Sequence, residues 1–311
     1  MSAAAVVLRV SAASIEFQNP VLLAAGTAAY GREISRVVDL DALGGIVTKA
    51  VSPEPRDGAP APRVAEFEGG MINAVGLANP GVDAVRSEDL PWLSENVRAA
   101  RVVVNVVGSA VEDFASVVEQ LTSVPRVDAF ELNVSCPNVR AGGMEFGADA
   151  STLSSLVSRA RAATDKPLFI KLSPTLQSIA DTARAAVFAG ANGITVINTI
   201  PGLVIDVEAR RPAIGFGSGG VSGVGLLPVG VLAVRKVSEA VDVPIIGVGG
   251  VSRGTDVVQY MMAGASLVGV GTAAMRDPRS PERIVSELAR WCESHSVRSA
   301  ADIIGTLEWL S

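Results

Sequence analysis

The sequence contains few histidine, cysteine and aromatic residues, and the shortage of the first two argues against several classes of protein. A single histidine, His295, leaves no convincing Ser-His-Asp triad, Cys-His pair or multi-histidine metal site. The two cysteines, Cys136 and Cys292, are too few and too far apart for a disulfide framework, a zinc site or an iron–sulfur cluster. Much hydrolase chemistry and every site built on several cysteines are therefore disfavoured, and we expect no metal.

Long apolar runs and basic clusters are also missing. No run reaches the roughly 18 apolar residues of a membrane span, and the first residues lack the pattern of a signal peptide. The chain has 26 basic and 32 acidic side chains and a net charge of −6, with no stripe of Lys and Arg. We therefore expect a cytoplasmic protein with neither a membrane nor a nucleic-acid partner.

What is present is a repeated pattern of β-branched run, polar or glycine-rich loop and alanine-rich amphipathic stretch, in a chain of 311 residues that is 49% hydrophobic. Eight runs predict strands buried on both faces. They are residues 21–24, 46–49, 102–106, 129–134, 168–172, 193–197, 244–248 and 267–270. This alternation favours one closed (β/α)8 TIM barrel over residues 1–311, although periodicity alone does not exclude a doubly wound sheet.

Several boundaries can be predicted as well. Helices are expected over 151–163, capped by Ser151, over 178–189, ending at Gly190, and over 255–263, ending at Gly264. Residues 6–10 and 14–17 alternate well enough for an N-terminal β-hairpin that would close the bottom of the barrel. Long connections at 50–101, 135–150 and 198–226 follow strand carboxyl ends, which is the catalytic face of such a barrel.

Polar residues cluster at these strand ends and in the long loops, and they are the first candidates for a site. They are Lys49, Lys171, Asn73, Asn105, Asn133, Asn138 and Asn198. Lysines at barrel ends also form structural ion pairs, and asparagine is common in turns. Asn105 and Asn133 stand in apolar surroundings, where an unpaired amide costs about 1–3 kcal/mol, so both are expected to have specific partners.

Cys136 lies just past the fourth predicted strand and precedes a proline. A lone cysteine is usually a small buried hydrophobe, but this position is at the catalytic face. With no histidine to activate a nucleophile, the sequence favours a proton acceptor or donor for a carbon acid. Cys292, within the helical run 281–294, is interpreted as a buried core residue.

Glycine turns follow the seventh and eighth strands, at 247–250 and 269–272. Barrels commonly bind phosphate at this place, whereas the spacing does not fit a Rossmann fingerprint. The glycine-rich stretch 217–223 fits either a mobile flap or backbone that approaches a ligand closely, and for Gly223 we favour close approach.

At these residues the chain resembles the dihydroorotate dehydrogenases, most closely the catalytic subunit of the NAD-linked class 1B form. The resemblance runs over almost the whole chain. Its motifs are 46–50 (IVTKA), 62–66 (PRVAE), 70–77 (GMINAVGL), 133–138 (NVSCPN), 170–174 (IKLSP), 197–199 (INT), 244–247 (PIIG) and 264–272 (GASLVGVGT).

The resemblance implies an FMN enzyme that oxidises dihydroorotate to orotate in pyrimidine synthesis, with Cys136 removing the C5 proton while hydride leaves C6 for flavin N5. The substrate-binding residues that it implies are Lys49, Asn73, Ala74, Val75, Gly76, Leu77, Asn133, Asn138, Asn198 and Thr199. The FMN-binding residues that it implies are Ala25, Lys49, Ala50, Asn105, Asn133, Lys171, Ile197, Gly223, Gly249, Gly250, Gly271 and Thr272.

The resemblance also implies partners. In the class 1B form, electrons pass from FMN to a separate subunit with FAD and a [2Fe-2S] cluster, which reduces NAD, so a homodimer flanked by two such subunits is expected. The rival is the class 1A homodimer that uses fumarate. Two departures from the family pattern stand out: Ala25 replaces a usual serine and Leu227 a usual lysine.

Other classes remain as alternatives. A flavoprotein that reduces uridine in tRNA also pairs a barrel, FMN and a cysteine, but the net charge of −6 argues against it. A flavin-free phosphate-binding barrel would use Lys49 or Lys171 as a Schiff base. A purely structural or binding protein has no need for two lysines, a cysteine and several asparagines at strand ends.

Overall fold

The computed structural model describes residues 6–135, 137–138 and 144–309. In chain order the strands are β1 (Val10–Ala12), β2 (Ile15–Phe17), β3 (Val21–Leu23), β4 (Gly45–Val47), β5 (Val64–Phe67), β6 (Gly70–Asn73), β7 (Arg101–Val106), β8 (Ala129–Asn133), β9 (Pro137–Asn138), β10 (Met144–Glu145), β11 (Leu168–Leu172), β12 (Gly193–Val196), β13 (Ile200–Gly202), β14 (Ile205–Asp206), β15 (Arg211–Pro212), β16 (Gly219–Ser222), β17 (Ile245–Val248) and β18 (Leu267–Val270).

The α-helices are α1 (Val82–Ala84), α2 (Leu90–Asn96), α3 (Val111–Thr122), α4 (Ala150–Ala162), α5 (Ile179–Phe188), α6 (Leu227–Ser238), α7 (Gly254–Met262), α8 (Thr272–Arg276) and α9 (Ser280–Ser294). A π-helical turn, Val85–Asp89, joins α1 to α2. Short 3-10 helices are Leu40–Ala42, Phe146–Ala148, Val224–Leu226 and Ala300–Ile303. No helix in the described ranges is long and apolar enough to cross a membrane.

Eight parallel strands form a closed barrel, in the order β3, β4, β7, β8, β11, β12, β17, β18 and back to β3. All eight strands predicted from the sequence are present within two residues of their predicted ends, and the predicted (β/α)8 fold is confirmed. The reason is that parallel strands covered on both faces need apolar residues at nearly every position. In β8 and β11 every residue is buried, including the polar ones.

The helices cover the outside of the barrel with one apolar face each. In α3 the buried residues Phe114, Val117, Val118 and Leu121 recur at the three- and four-residue spacing of one helix face, and all four are 0% exposed. Each fully buried side chain of this size contributes about 1.5–3 kcal/mol, so these helices stabilise the barrel mainly by packing.

The three predicted helices are present as α4, α5 and α7, each within one residue of its predicted ends, but the predicted cap of α4 is wrong. Ser178 caps α5 by accepting a hydrogen bond from the Asp181 N–H, and Gly190 follows with φ of 110°. The predicted cap of α4 was Ser151, but the carboxylate of Asp149 accepts from Thr152 N at 2.7 Å. The Ser151 hydroxyl donates to the same carboxylate, so the stronger acceptor takes the capping position.

The N-terminal hairpin is present but shifted from its predicted residues. Its strands are β1 and β2, whereas the prediction placed the first strand at 6–10. Val7 instead pairs with Ser299 near the end of the chain, where its N–H donates to Arg298 O at 2.9 Å. The hairpin does lie at the bottom of the barrel, because Arg101, the first residue of β7, donates to Glu16 O at 2.9 Å.

The connections after β4 and β12 meet above the mouth of the barrel in a four-stranded antiparallel sheet of order β13, β16, β6, β5, which we call the cap sheet. Residues 219–222 of the glycine-rich stretch form its strand β16, which pairs with β6. Thr272 Oγ1 donates to Ser222 Oγ at 2.7 Å, and Arg276 Nη2 donates to Gly70 O at 2.8 Å. The cap sheet is thus fastened to the turn and helix that follow β18.

Candidate active site

A cavity of about 880 Å³ lies at the carboxyl ends of the barrel strands, between the barrel and the cap sheet. Its volume is within the roughly 300–1,000 Å³ of cofactor and small-molecule sites. The predicted site residues that line it are Ala25, Lys49, Ala50, Asn73, Ala74, Val75, Gly76, Leu77, Asn105, Asn133, Lys171, Ile197, Asn198, Thr199, Gly223, Gly249, Gly250, Gly271 and Thr272. Cys136 and the side chain of Asn138 lie outside the described part of the chain.

Lys171 belongs to a buried polar group in the wall of this cavity. Its side chain leaves β11, is 6% exposed as a residue, and brings Nζ within 3.8 Å of Glu131 Oε1 on the neighbouring strand β8. The same oxygen accepts a hydrogen bond of 2.7 Å from Asn105 Nδ2 on β7. Three adjacent barrel strands therefore supply an ammonium, a carboxylate and an amide to one cluster.

Two asparagines join the fourth and sixth barrel strands at the mouth. Asn198 Nδ2 donates to Asn133 Oδ1 at 3.3 Å, and Asn198 Oδ1 accepts from the Thr199 N–H at 2.8 Å. The expectation that both Asn105 and Asn133 have specific partners is confirmed. Because an amide in such a pair retains further donors and acceptors, Asn133 and Asn198 have hydrogen-bonding capacity to offer a ligand in the cavity.

Lys49 lines the same cavity in different surroundings. It lies two residues past the end of β4 and is partly buried, with its backbone N–H donating to Ala29 O at 2.8 Å. Its ammonium makes no ion pair with any residue that the structure describes. The next residue, Ala50, accepts a hydrogen bond of 3.0 Å from the Tyr30 hydroxyl, whose pKa is raised by burial.

The cap sheet supplies the opposite wall. Asn73, at the end of β6, donates through Nδ2 to Gly220 O of β16 at 3.3 Å. The following turn, residues 74–77, also lines the cavity. Gly76 has φ of 69°, and a Cβ built on it would come within 2.4 Å of Ala59 N, so this position admits only glycine.

The glycine turns after β17 and β18 form the remaining wall. Gly250 has φ of 74°, and an added Cβ would lie 2.4 Å from Leu227 N, so the turn packs directly on the start of α6. At Gly271 the nearest atoms to an added Cβ are 3.9 Å away, which leaves the backbone open to the cavity. α8 begins at the next residue, and no side chain caps its N-terminus.

Comparisons with known proteins identify the family of the chain. The family described as dihydroorotate dehydrogenase matches residues 7–291. The chain belongs to the dihydroorotate dehydrogenase family. The catalytic subunit of dihydroorotate dehydrogenase B (NAD(+)) from Pelobacter propionicus is 42% identical over 301 residues, 97% of this chain and 98% of that protein. Its counterpart from Geobacter sulfurreducens is equally similar, at 42% over 301 residues.

Two further comparisons concern the subgroup of the family and the fold. A protein of Solibacter usitatus named putative dihydroorotate dehydrogenase A (fumarate) is 45% identical over 295 residues, 95% of this chain and 96% of its own. The crystal structure of a dihydroorotate dehydrogenase from Eimeria tenella, in complex with ferulenol, superposes with a TM-score of 0.81. It covers 96% of this chain and 88% of its own at 24% identity, and supports the fold alone.

The two departures from the dihydroorotate dehydrogenase pattern have different positions. Ala25 lines the cavity, so a hydroxyl there would reach its interior, whereas Leu227 does not line it. Gly223, for which the sequence favoured close approach to a ligand, lines the cavity. It has φ of 118°, and a Cβ added to it would lie 2.6 Å from Gly70 Cα, so the packing of the cap sheet also requires a glycine here.

The sequence analysis did not single out two acidic residues at or next to the cavity. Glu131 is 1% exposed, and its signal was a carboxylate inside the otherwise apolar run of a predicted strand. Glu145 lines the cavity, and burial raises the pKa of its carboxyl although hydrogen bonds from Ser173 and Thr175 oppose that shift. No sequence pattern distinguished Glu145 from an ordinary loop residue.

Cys292 has the position that the sequence predicted for it. It is 0% exposed on the inner face of α9, and burial raises the pKa of its thiol. In the described part of the chain, no three His, Cys, Asp or Glu side chains are grouped closely enough to hold a metal ion.

Proposed function

We propose that this protein oxidises dihydroorotate to orotate in pyrimidine synthesis, using FMN bound in the cavity at the barrel mouth. The observation that carries the proposal is the convergence of two lysines and several asparagines on one cavity in a chain of the dihydroorotate dehydrogenase family. We further propose that residues 1–311 form one FMN-binding domain and that the protein works in the cytoplasm.

The residues of the cavity fit FMN in three respects. The glycine turns at Gly249, Gly250 and Gly271 offer backbone to a phosphate, which barrels commonly bind after strands seven and eight. Lys171 supplies a fixed positive charge for the edge of the flavin that becomes negative on reduction. Ala25, Ala50, Ile197, Gly223 and Thr272 complete the proposed FMN site with apolar or small surface, and Lys49, Asn105 and Asn133 with polar groups.

The substrate is proposed to lie between the FMN site and the cap sheet. Dihydroorotate has a carboxylate and an imide edge, so it needs one cation and several amide partners. Lys49 would bind the carboxylate, and Asn73, Asn133, Asn138 and Asn198 the imide edge. The turn of residues Ala74, Val75, Gly76 and Leu77, together with Thr199, would cover the ring and exclude water.

Cys136 is proposed to remove the proton from C5 of dihydroorotate as a thiolate. FMN bound in the cavity would accept the hydride from C6. A thiolate acting on a substrate in this cavity would be favoured over the thiol by the lysines that line it, because a positive charge stabilises the charged form. The released proton leaves with the Cys136 sulfur, which completes the two-electron oxidation of the C5–C6 bond.

The electrons are proposed to leave for NAD through a partner subunit that holds FAD and a [2Fe-2S] cluster. This follows the names of the Pelobacter and Geobacter relatives, which are catalytic subunits of NAD(+)-linked enzymes. The assembly would be a homodimer with two such partners. Co-expression with the electron-transfer subunit, followed by a measurement of size, is expected to give a heterotetramer.

A direct transfer to fumarate is the second candidate, because the Solibacter relative bears that name. The reduced protein, mixed anaerobically with fumarate, distinguishes the two. Rapid reoxidation by fumarate, together with the absence of a stable complex on co-expression, would assign the fumarate-linked form.

The first experiment is an anaerobic absorbance spectrum of the purified protein before and after dihydroorotate is added. We expect the visible band of oxidised flavin to be present and then to bleach. A yellow protein that does not bleach would contradict the substrate, and a colourless protein that cannot be reconstituted with FMN would favour the flavin-free barrel.

Replacing Cys136 with serine tests the proton acceptor. We expect C136S to lose most of its turnover at neutral pH and to recover part of it at high pH, because serine is a much weaker base. Cys292→Ser is the matched control, since that thiol is buried in α9. Full activity of C136S at neutral pH, measured by flavin bleaching in a stopped-flow instrument, would assign the base to another group.

A further inference from the structure

Glu131 is a buried carboxylate that the proposed reaction does not use. It lies in the middle of β8 and is 1% exposed, and it does not itself line the cavity. In the strand register it stands opposite Asn105 on one side and Phe169 on the other. A carboxylate at such a position needs partners, because a buried charge without them is strongly unfavourable.

Both partners of Glu131 are cavity residues. Its Oε1 accepts from Asn105 Nδ2 at 2.7 Å and lies 3.8 Å from Lys171 Nζ. The carboxylate therefore does not face the cavity directly, whereas the Asn105 amide and the Lys171 ammonium that contact it belong to residues of the cavity wall. Side chains two residues apart on a strand share a face, which explains why Glu131 and the cavity residue Asn133 both point into the barrel.

We propose that Glu131 is a positioning residue that holds Lys171 and Asn105 in place and whose negative charge lowers the reduction potential of the flavin. The inference rests on the proposed function, since it concerns FMN in this cavity. Lys171 attracts the negative charge that develops on reduced flavin, and a carboxylate 3.8 Å from the same ammonium offsets part of that attraction. Glu131 thereby holds Lys171 in a fixed position and reduces the attraction of its positive charge for the reduced flavin.

The test is the two-electron midpoint potential of bound FMN in the Glu131→Gln protein, measured anaerobically against reference dyes. Glutamine keeps the shape and an oxygen acceptor for Asn105 but removes the charge. We expect the equilibrium constant for flavin reduction to increase by about tenfold, which corresponds to a potential about 30 mV higher. An unchanged or lower potential would overturn the role.

Two variants separate charge from packing. Glu131→Asp keeps the charge, so its potential is expected to remain near that of the wild type, and a shift equal to that of E131Q would overturn the proposal. Asp128→Asn is the matched control: Asp128 precedes β8 at the other end of the barrel, where it pairs with Arg126 at 3.3 Å and Arg101 at 3.4 Å. We expect D128N to leave the potential unchanged.

If the E131Q protein does not fold, a second pair of variants tests the same effect of the Glu131 charge. Replacing Lys171 with glutamine in the same chain removes both buried charges together, and this double variant is compared with Lys171→Gln alone. The double variant is expected to have the higher flavin potential, and equal potentials would overturn the proposal.

The wild-type protein separates this inference from the proposed function. A wild type that binds no FMN overturns both, whereas a wild type that bleaches with dihydroorotate while E131Q keeps the wild-type potential overturns only the role of Glu131.

Discussion

Lys49 and Lys171 follow the same pattern in the sequence, yet the structure gives them opposite surroundings. Both stand at the carboxyl end of a barrel strand and line the same cavity. Lys171 is 6% exposed and has Glu131 at 3.8 Å, whereas Lys49 is partly buried and has no ion-pair partner in the described residues. One lysine is therefore held by the protein, and the other is available to a ligand.

The difference follows from the neighbouring strands. Lys171 lies within β11, and the adjacent strand β8 places a carboxylate beside it. Lys49 lies beyond the end of β4, whose neighbours β3 and β7 offer Ala25 and Asn105 to this part of the cavity and no acid. A cation without a counter-ion suits an anionic substrate, while a compensated one suits a group whose charge changes during the reaction.

The largest expected effect is the loss of stability in Lys171→Ala. Removing this ammonium leaves Glu131 buried without its counter-ion, and breaking a buried pair in this way costs about 3–5 kcal/mol. Lys49→Ala removes no ion pair among the described residues and is the matched control, with an expected loss below about 1 kcal/mol. Urea unfolding of both FMN-loaded proteins measures the difference, and equal losses would contradict the contrast between the two lysines.

The effect of Lys49→Ala is expected on the reaction instead. A hydrogen bond to a charged group contributes about 1.5–3 kcal/mol, so kcat/KM for dihydroorotate should fall by about 10- to 100-fold. Lys49→Arg keeps the charge and should recover part of the loss. Steady-state kinetics on protein of known FMN content checks this, and a wild-type kcat/KM in K49A would remove Lys49 from the substrate site.

The smallest expected effect is that of salt. The Debye length falls from about 10 Å at 0.1 M to about 3 Å at 1 M salt, and a partly exposed charge is screened more than a buried one. We expect KM for dihydroorotate to rise severalfold over this range in the wild type and to change less in Lys49→Gln. An equal rise in both proteins would point to a cation other than Lys49.

The sequence predicted the barrel because its strands are continuous apolar runs, and it predicted most of the cavity because site residues follow strand ends. It did not predict the partner of Lys171, since Glu131 becomes its neighbour only through the register of β8 and β11. The first hairpin strand was misplaced for a similar reason. Val7 pairs with Ser299 from the far end of the chain, and local alternation contains no information on such a contact.

The cap sheet has a consequence for how the chain folds. Its two halves are local: β5 and β6 form one hairpin, and β13 and β16 belong to one connection. Between the halves, the bond from Asn73 to Gly220 joins residues 147 positions apart. Contacts of such long range form late, because much of the chain must be ordered before they can. The barrel is closed by β18 and β3, whose paired residues Val268 and Val21 lie further apart still, so we expect both the barrel and the roof of its cavity to be completed only when most of the chain is ordered.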